Sequence, residues 1–66
     1  MKMSYKIDKH TWGVLKKNVE AVNGETPFKM GQDLRILNED HPLYGQIVKY
    51  KTIQHHPRAT IIHVKI

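Results

Sequence analysis

An α+β fold, one N-terminal helix packed on a small bent antiparallel sheet, is what this sequence predicts, and three observations predict it. Trp12, Leu15, Val19 and Val22 fall three, four and three residues apart, the spacing of a single helical stripe. From Thr26 onward the apolar period changes to two, the period of a half-buried strand. Turn formers then cut the remainder into short runs, Asn-Glu-Asp-His-Pro at residues 38–42 and His-His-Pro at residues 55–57.

Taken in order, Met3, Tyr5 and Ile7 alternate with Ser4 and Lys6 and suit a short extended lead-in. Asp8 stands where an N-cap carboxylate accepts from orphan backbone amides, so the helix is expected over residues 8–23. Lys9, Lys16, Lys17 and Glu20 fall off its apolar stripe, Trp12 is its core anchor, and Asn23-Gly24 is its left-handed stop. Gly13 opposes this reading, at a cost of about 1 kcal/mol relative to alanine in a helix interior. Asn-Gly is also a hairpin signal, so a strand over residues 14–22 turning into residues 25–30 is the competing assignment. Lys16-Lys17-Asn18 interrupts both faces of such a strand, and the helix is preferred.

The sheet is expected over residues 26–66. Phe28, Met30, Leu34 and Ile36 lie on one side of an extended chain broken at Gly31, with Lys29 and Arg35 on the other. After the loop, residues 46–54 place Val48, Tyr50 and Thr52 inward and Lys49 and Lys51 outward. Pro57 stops that strand, because proline cannot donate to a ladder. In the last run Thr60, Ile62, Val64 and Ile66 share one face and Ile61, His63 and Lys65 the other. A few strands alone are marginal, so the helix is needed to cover them. No repeat or linker divides the chain, and residues 1–66 read as a single domain.

Size and composition narrow the function classes. A domain of 66 residues buries only about 60% of the surface its unfolded chain exposes, which leaves little room for a water-free active site. Catalytic groups are sparse as well: Glu39 and Asp40 are adjacent in a turn, Ser4 is the only serine, and GETPFKMG lacks the Lys-Ser ending of a phosphate loop. A non-enzymatic binding module is expected. The five histidines include no pair at ligand spacing on one element, so neither a metal nor another cofactor is expected. Absent cysteine, a chain with no run of about 18 apolar residues and no apolar leader segment is expected in the cytoplasm, away from membranes.

The net charge is +5, which favours a polyanionic partner. From residue 45 to the end there are four Lys or Arg (49, 51, 58 and 65) and no Asp or Glu. With strands alternating as read, Arg35, Lys49, Lys51, Arg58, His63 and Lys65 form a basic outer face able to meet phosphates. The same lysines also discourage edge-to-edge pairing, which is the bland account of them. His55 and His56 add a pH-sensitive margin beside Arg58. The acidic loop is the second candidate, with His41, Leu43 and Tyr44 as contacts to a protein partner.

Gly31-Gln32-Asp33-Leu34-Arg35-Ile36, a loop, then Tyr44-Gly45-Gln46-Ile47-Val48-Lys49-Tyr50 resembles the KOW motif of SH3-like barrels in ribosomal proteins and NusG-type transcription factors. Gly31 and Gly45 match its glycine landmarks; Leu34, Ile36 and Val48 match its apolar positions. The second loop-side glycine has no counterpart near Val48, and the likeness spans about a third of the chain. It implies an SH3-like barrel under the helix, and binding to RNA or a nucleoprotein. The expected function is therefore a small basic module for nucleic acid or a nucleoprotein complex. The alternative is a protein-interaction module, such as a phage-type modulator or inhibitor of a larger, acidic host protein. A monomer is expected, or a weak homodimer through the strand edge at Ile61.

Overall fold

Strand pairing, not helix, organises the N-terminal third of the chain. The computed structural model describes residues 6–66, so Met3 and Tyr5 of the expected lead-in lie outside the described residues. Residues 11–21 form two strands, β1 (Thr11–Leu15) and β2 (Val19–Ala21), separated by a 3-10 turn at Lys16–Asn18. With β3 (Asp33–Ile36), β4 (Ile47–His55) and β5 (Thr60–Lys65) they make one antiparallel sheet of order β1-β5-β4-β3-β2. The predicted α+β arrangement, with a helix over residues 8–23 packed on the sheet, is thus overturned. Among the described residues the fold is nearly all antiparallel sheet.

The difference has a physical cause. Trp12 and Val14 turn toward the core with a period of two, and the 3-10 turn then resets the phase so that Val19 does the same. A strand broken by a three-residue turn imitates a helical stripe. Helix propensities among these residues differ by about 0.7 kcal/mol at most, apart from Gly13. Full burial of one valine stabilises by about 1.5–3 kcal/mol, so long-range pairing decides. The capping chemistry was legible in a different role. Asp8 Oδ1 accepts the amides of His10 and Thr11, both at 2.9 Å, and this turn leads into β1. Gly24, at φ +76, closes a turn by donating its amide to Ala21 O, so Asn23-Gly24 ends a strand.

β1 and β2 occupy opposite edges of the sheet, yet only the 3-10 turn joins them. Four strand spacings in a flat sheet put the edges about 19 Å apart, whereas a 3-10 link of this length spans roughly 8 Å at ~2 Å per residue. The sheet must curl until its edges approach. Its inner face then encloses one cluster, Val14, Val19, Leu34, Ile36, Val48, Ile62 and Val64, with Leu43 entering from the loop after β3. The sheet covers itself, so no helix is required to shield it.

Three further expectations are corrected. Residues 28–30 form no strand: Phe28 packs at the core margin, and Met30 is 81% exposed. That loop is held by Gln32, whose side chain bonds Asn23 Oδ1, Glu25 O and the Lys29 amide. In β4 the register slips between Tyr50 and Thr52, so Lys51 is a bulge residue. The inward face therefore passes from Tyr50 to Ile53, and Thr52 is exposed. Finally, β5 lies between β1 and β4, so Ile61 has no free strand edge through which to dimerise.

The outer edge of β1 is satisfied by side chains and turns. Thr11 O accepts the amides of Ile7 and Asp8, and Gly13 O, two residues on and directed the same way, receives His41 Nε2 at 2.8 Å. His41 Nδ1 accepts the Leu43 amide at 3.0 Å. An amide can only donate, so Nδ1 carries no proton and Nε2–H is the donor to Gly13: the ring is the neutral Nε2 tautomer. The imidazole is 3% exposed and meets Trp12 edge-on at 6.4 Å, while Lys6 Nζ lies 5.6 Å from the indole centroid.

Replacing His41 by alanine strands a buried carbonyl and a buried amide, each at about 1–3 kcal/mol. Thermal unfolding followed by circular dichroism should show the midpoint lowered by roughly 10 °C or more. Tyr44→Ala, on the exposed side of the same loop, should change stability by no more than about 0.5 kcal/mol.

Candidate functional site

Alternation sends Glu20, Asp33, Arg35 and Lys49 to the outer surface, and the register sets them opposite one another as Glu20–Arg35 and Asp33–Lys49. Arg35 Nη1 lies 3.0 Å from Glu20 Oε2, and Lys49 Nζ pairs with Asp33 Oδ1. Each pair is about half exposed and contributes only about 0–1 kcal/mol to stability. Their electrostatic consequence is larger. Two of the cations expected to meet phosphate already hold a counter-ion.

The other sequence-predicted cations divide between the two ends of the sheet. Lys65 stands opposite Lys49, and Lys51 projects from the bulge. Together they line a cleft of about 380 Å³ with Met30, Gly31 and Tyr50. Lys51 Nζ also donates to the Thr11 hydroxyl at 3.1 Å. His63 is half-buried, with Nε2 3.2 Å from Gln54 Oε1. Arg58 lies at the other end. It sits past the far end of β4, and Lys49 to His55 alone is roughly 20 Å at ~3.3 Å per residue.

At that end Arg58 meets two cations expected on a helix surface. Lys16 and Lys17, on the 3-10 turn, line a groove of about 510 Å³ with Arg58, Leu15, Ala59 and Thr60. The register explains the meeting: Leu15 pairs with Ile61, so the turn after β1 lies beside the start of β5 and the β4–β5 connection. No Asp or Glu lines this groove, and no ion pair among the described residues engages these three cations. Lys-Lys-Asn, the interruption that counted against a strand, was the available signal for an exposed turn.

Lys16 is also one wall of a second groove, about 290 Å³, formed with Thr26, Pro27, Phe28, Tyr50, Ile53 and His55. Phe28 and Tyr50 pack edge-to-face with centroids 5.7 Å apart. The expected partner loop is split. His41 and Leu43 are buried at 3% each, leaving Tyr44 outside, where it lines a groove of about 250 Å³ with Arg35, Leu37 and Ile47. Among the described residues no three His, Cys, Asp or Glu come together as a metal site. No helix of the described residues is long and apolar enough to cross a membrane.

No protein family, curated protein or solved structure matches this chain.

One ionisable group outside the grooves is clearly displaced. The amide of His10, followed by the Thr11 hydroxyl and amide, holds the Asp8 carboxyl below its ordinary 3.8; Lys51 adds to this and desolvation opposes it. The folded state favours the charged form, so the stabilisation is complete above 3.8 and disappears as pH falls through the lowered folded value. Asp8→Ala should therefore lower the unfolding midpoint at neutral pH. The gap to the unaltered protein should close as the pH is taken well below 3.8, and thermal scans over an acid series measure it.

Proposed function

We infer that this chain is a small basic binding module for nucleic acid or a nucleoprotein surface, and that its phosphate-binding end is the groove of Lys16, Lys17 and Arg58. One observation carries the reading: three cations from two separate connections converge on one groove without a carboxylate in its lining. Holding like charges together costs repulsion, which an anionic ligand relieves. The cations of the outer strip, Arg35 and Lys49, are balanced by Glu20 and Asp33 and contribute less. Lys51 and Lys65 extend the positive field at the opposite end.

The KOW resemblance of residues 31–50 supports the same partner class. Its landmark glycines have left-handed φ angles, 82° at Gly31 and 85° at Gly45, where the chain turns toward β3 and β4. A second reading, a protein-interaction module, rests on Leu37, Tyr44 and Ile47, which are 44%, 47% and 49% exposed around one shallow groove. Scattered exposed apolar residues are ordinary on small proteins, whereas a carboxylate-free cluster of three cations is less so. The nucleic-acid reading is preferred.

Affinity for a fluorescent oligonucleotide should fall log-linearly with salt. Lys16→Ala, Lys17→Ala and Arg58→Ala should each reduce the slope by about 0.7–0.9. Arg35→Ala with Lys49→Ala should reduce it less. Undiminished binding by the triple variant, or capture of one protein irrespective of nuclease treatment and no oligonucleotide affinity, would overturn the assignment.

A further inference from the structure

The groove beside the cationic end is unlike it in character. Its floor is apolar, with Pro27, Phe28, Tyr50 and Ile53, and only Lys16 and His55 at its rim can be charged positive. No carboxylate lines it. Tyr50 and Ile53, three residues apart, would face opposite sides of a regular strand. The extra residue at Lys51 turns both to the same side, where Phe28 packs against Tyr50. Bulges re-aim side chains in this way at sheet edges, at barrel rims and next to active sites.

The two grooves share Lys16. A ligand whose charge rests on Lys16, Lys17 and Arg58 therefore lies beside a groove with aromatic and apolar walls. Phosphate alone has no use for those walls, and a duplex keeps its bases stacked inside. A single strand offers both chemistries at once: backbone charge, and flat apolar bases free to leave the stack. The volume of about 290 Å³ lies at the lower limit of small-molecule sites, suited to one ring system.

We propose that the Phe28–Tyr50–Ile53 groove receives an unpaired nucleobase, so that the protein selects single-stranded over duplex nucleic acid. This rests on the phosphate-binding reading of Lys16, Lys17 and Arg58 and adds a base-binding pocket to it. The phosphates supply most of the affinity and its salt dependence; the base supplies the discrimination between strand forms.

Fluorescence anisotropy tests this with three probes: a thymidine strand of about ten nucleotides, its duplex with the complementary adenosine strand, and an abasic strand of equal length and charge. The intact single strand should bind the unaltered protein about tenfold more tightly than the abasic strand, and more tightly than the duplex. Phe28→Leu and Tyr50→Leu, which keep apolar volume without the ring, should narrow the gap, and Tyr50→Phe should preserve it. Equal, salt-sensitive binding of all three probes would overturn base docking while the cationic groove stands. A gap unaffected by both leucine variants would overturn it as well, since the base would then sit elsewhere. Failure of every probe to bind would remove the phosphate-binding reading and base docking together. The intact-versus-abasic comparison uses the unaltered protein, so it decides even where a leucine variant fails to fold.

Discussion

Three residues of 3-10 turn link the two opposite edges of the sheet, and the rest of the molecule follows from that short tether. A flat sheet cannot satisfy it. Curling brings the tethered ends of β1 and β2 near each other and lets one apolar face enclose itself, which gives the described residues a core without a covering helix. The same tether has a chemical consequence. Lys16 and Lys17 are its residues, so the device that bends the sheet also presents two cations beside Arg58. Fold and candidate site share one segment.

Curling leaves β1 and β2 with one partner strand each, apart from a single bridge of Lys6 to Trp12 on β1, and such edges invite pairing with other chains. The protein answers on β1 with local polar groups. The turn built on Asp8 directs two amides to Thr11 O, and His41 crosses from the loop after β3 to Gly13 O. That second bond requires a neutral ring whose other nitrogen is occupied by the Leu43 amide. Leu43 then seals the core from the same loop. Residues that read as a partner-binding loop are mainly structural: their polar and apolar atoms turn inward, and Tyr44 alone of the three reaches solvent.

Much of β3, β5 and the start of β4 was legible from alternation within each strand: Leu34, Ile36, Val48, Ile62 and Val64 are all buried, as their period of two requires. The bulge at Lys51 was not, since a register slip is a property of the β4–β5 pair and leaves no mark in β4 alone. The N-terminal third failed for a related reason. Trp12, Leu15, Val19 and Val22 fit a helical stripe, whereas the core takes Trp12, Val14, Val19 and Ala21 from two strands with a turn between them, and only pairing with β5 and β3 separates the two. Of the candidate site, Arg58 was visible as a basic residue at a turn. Lys16 and Lys17 were visible as charges but assigned to the wrong element, and so were separated from it. The neutralisation of Arg35 and Lys49 lay in cross-strand register, which composition does not carry.

Charge on this small surface is thus sorted by the fold. Paired ions occupy the strip over β2, β3 and β4; cations that form no ion pair among the described residues gather where the tether meets the β4–β5 connection; aromatic rings stand next to them. The most direct test is a two-dimensional NMR titration of isotope-labelled protein with a short single-stranded oligonucleotide at low salt. Amide shifts should move first and furthest at Lys16, Lys17, Arg58 and Ala59, and little at Glu20, Arg35 and Asp33. Shifts centred on the paired strip, or a spectrum that the oligonucleotide leaves unchanged, would contradict the account.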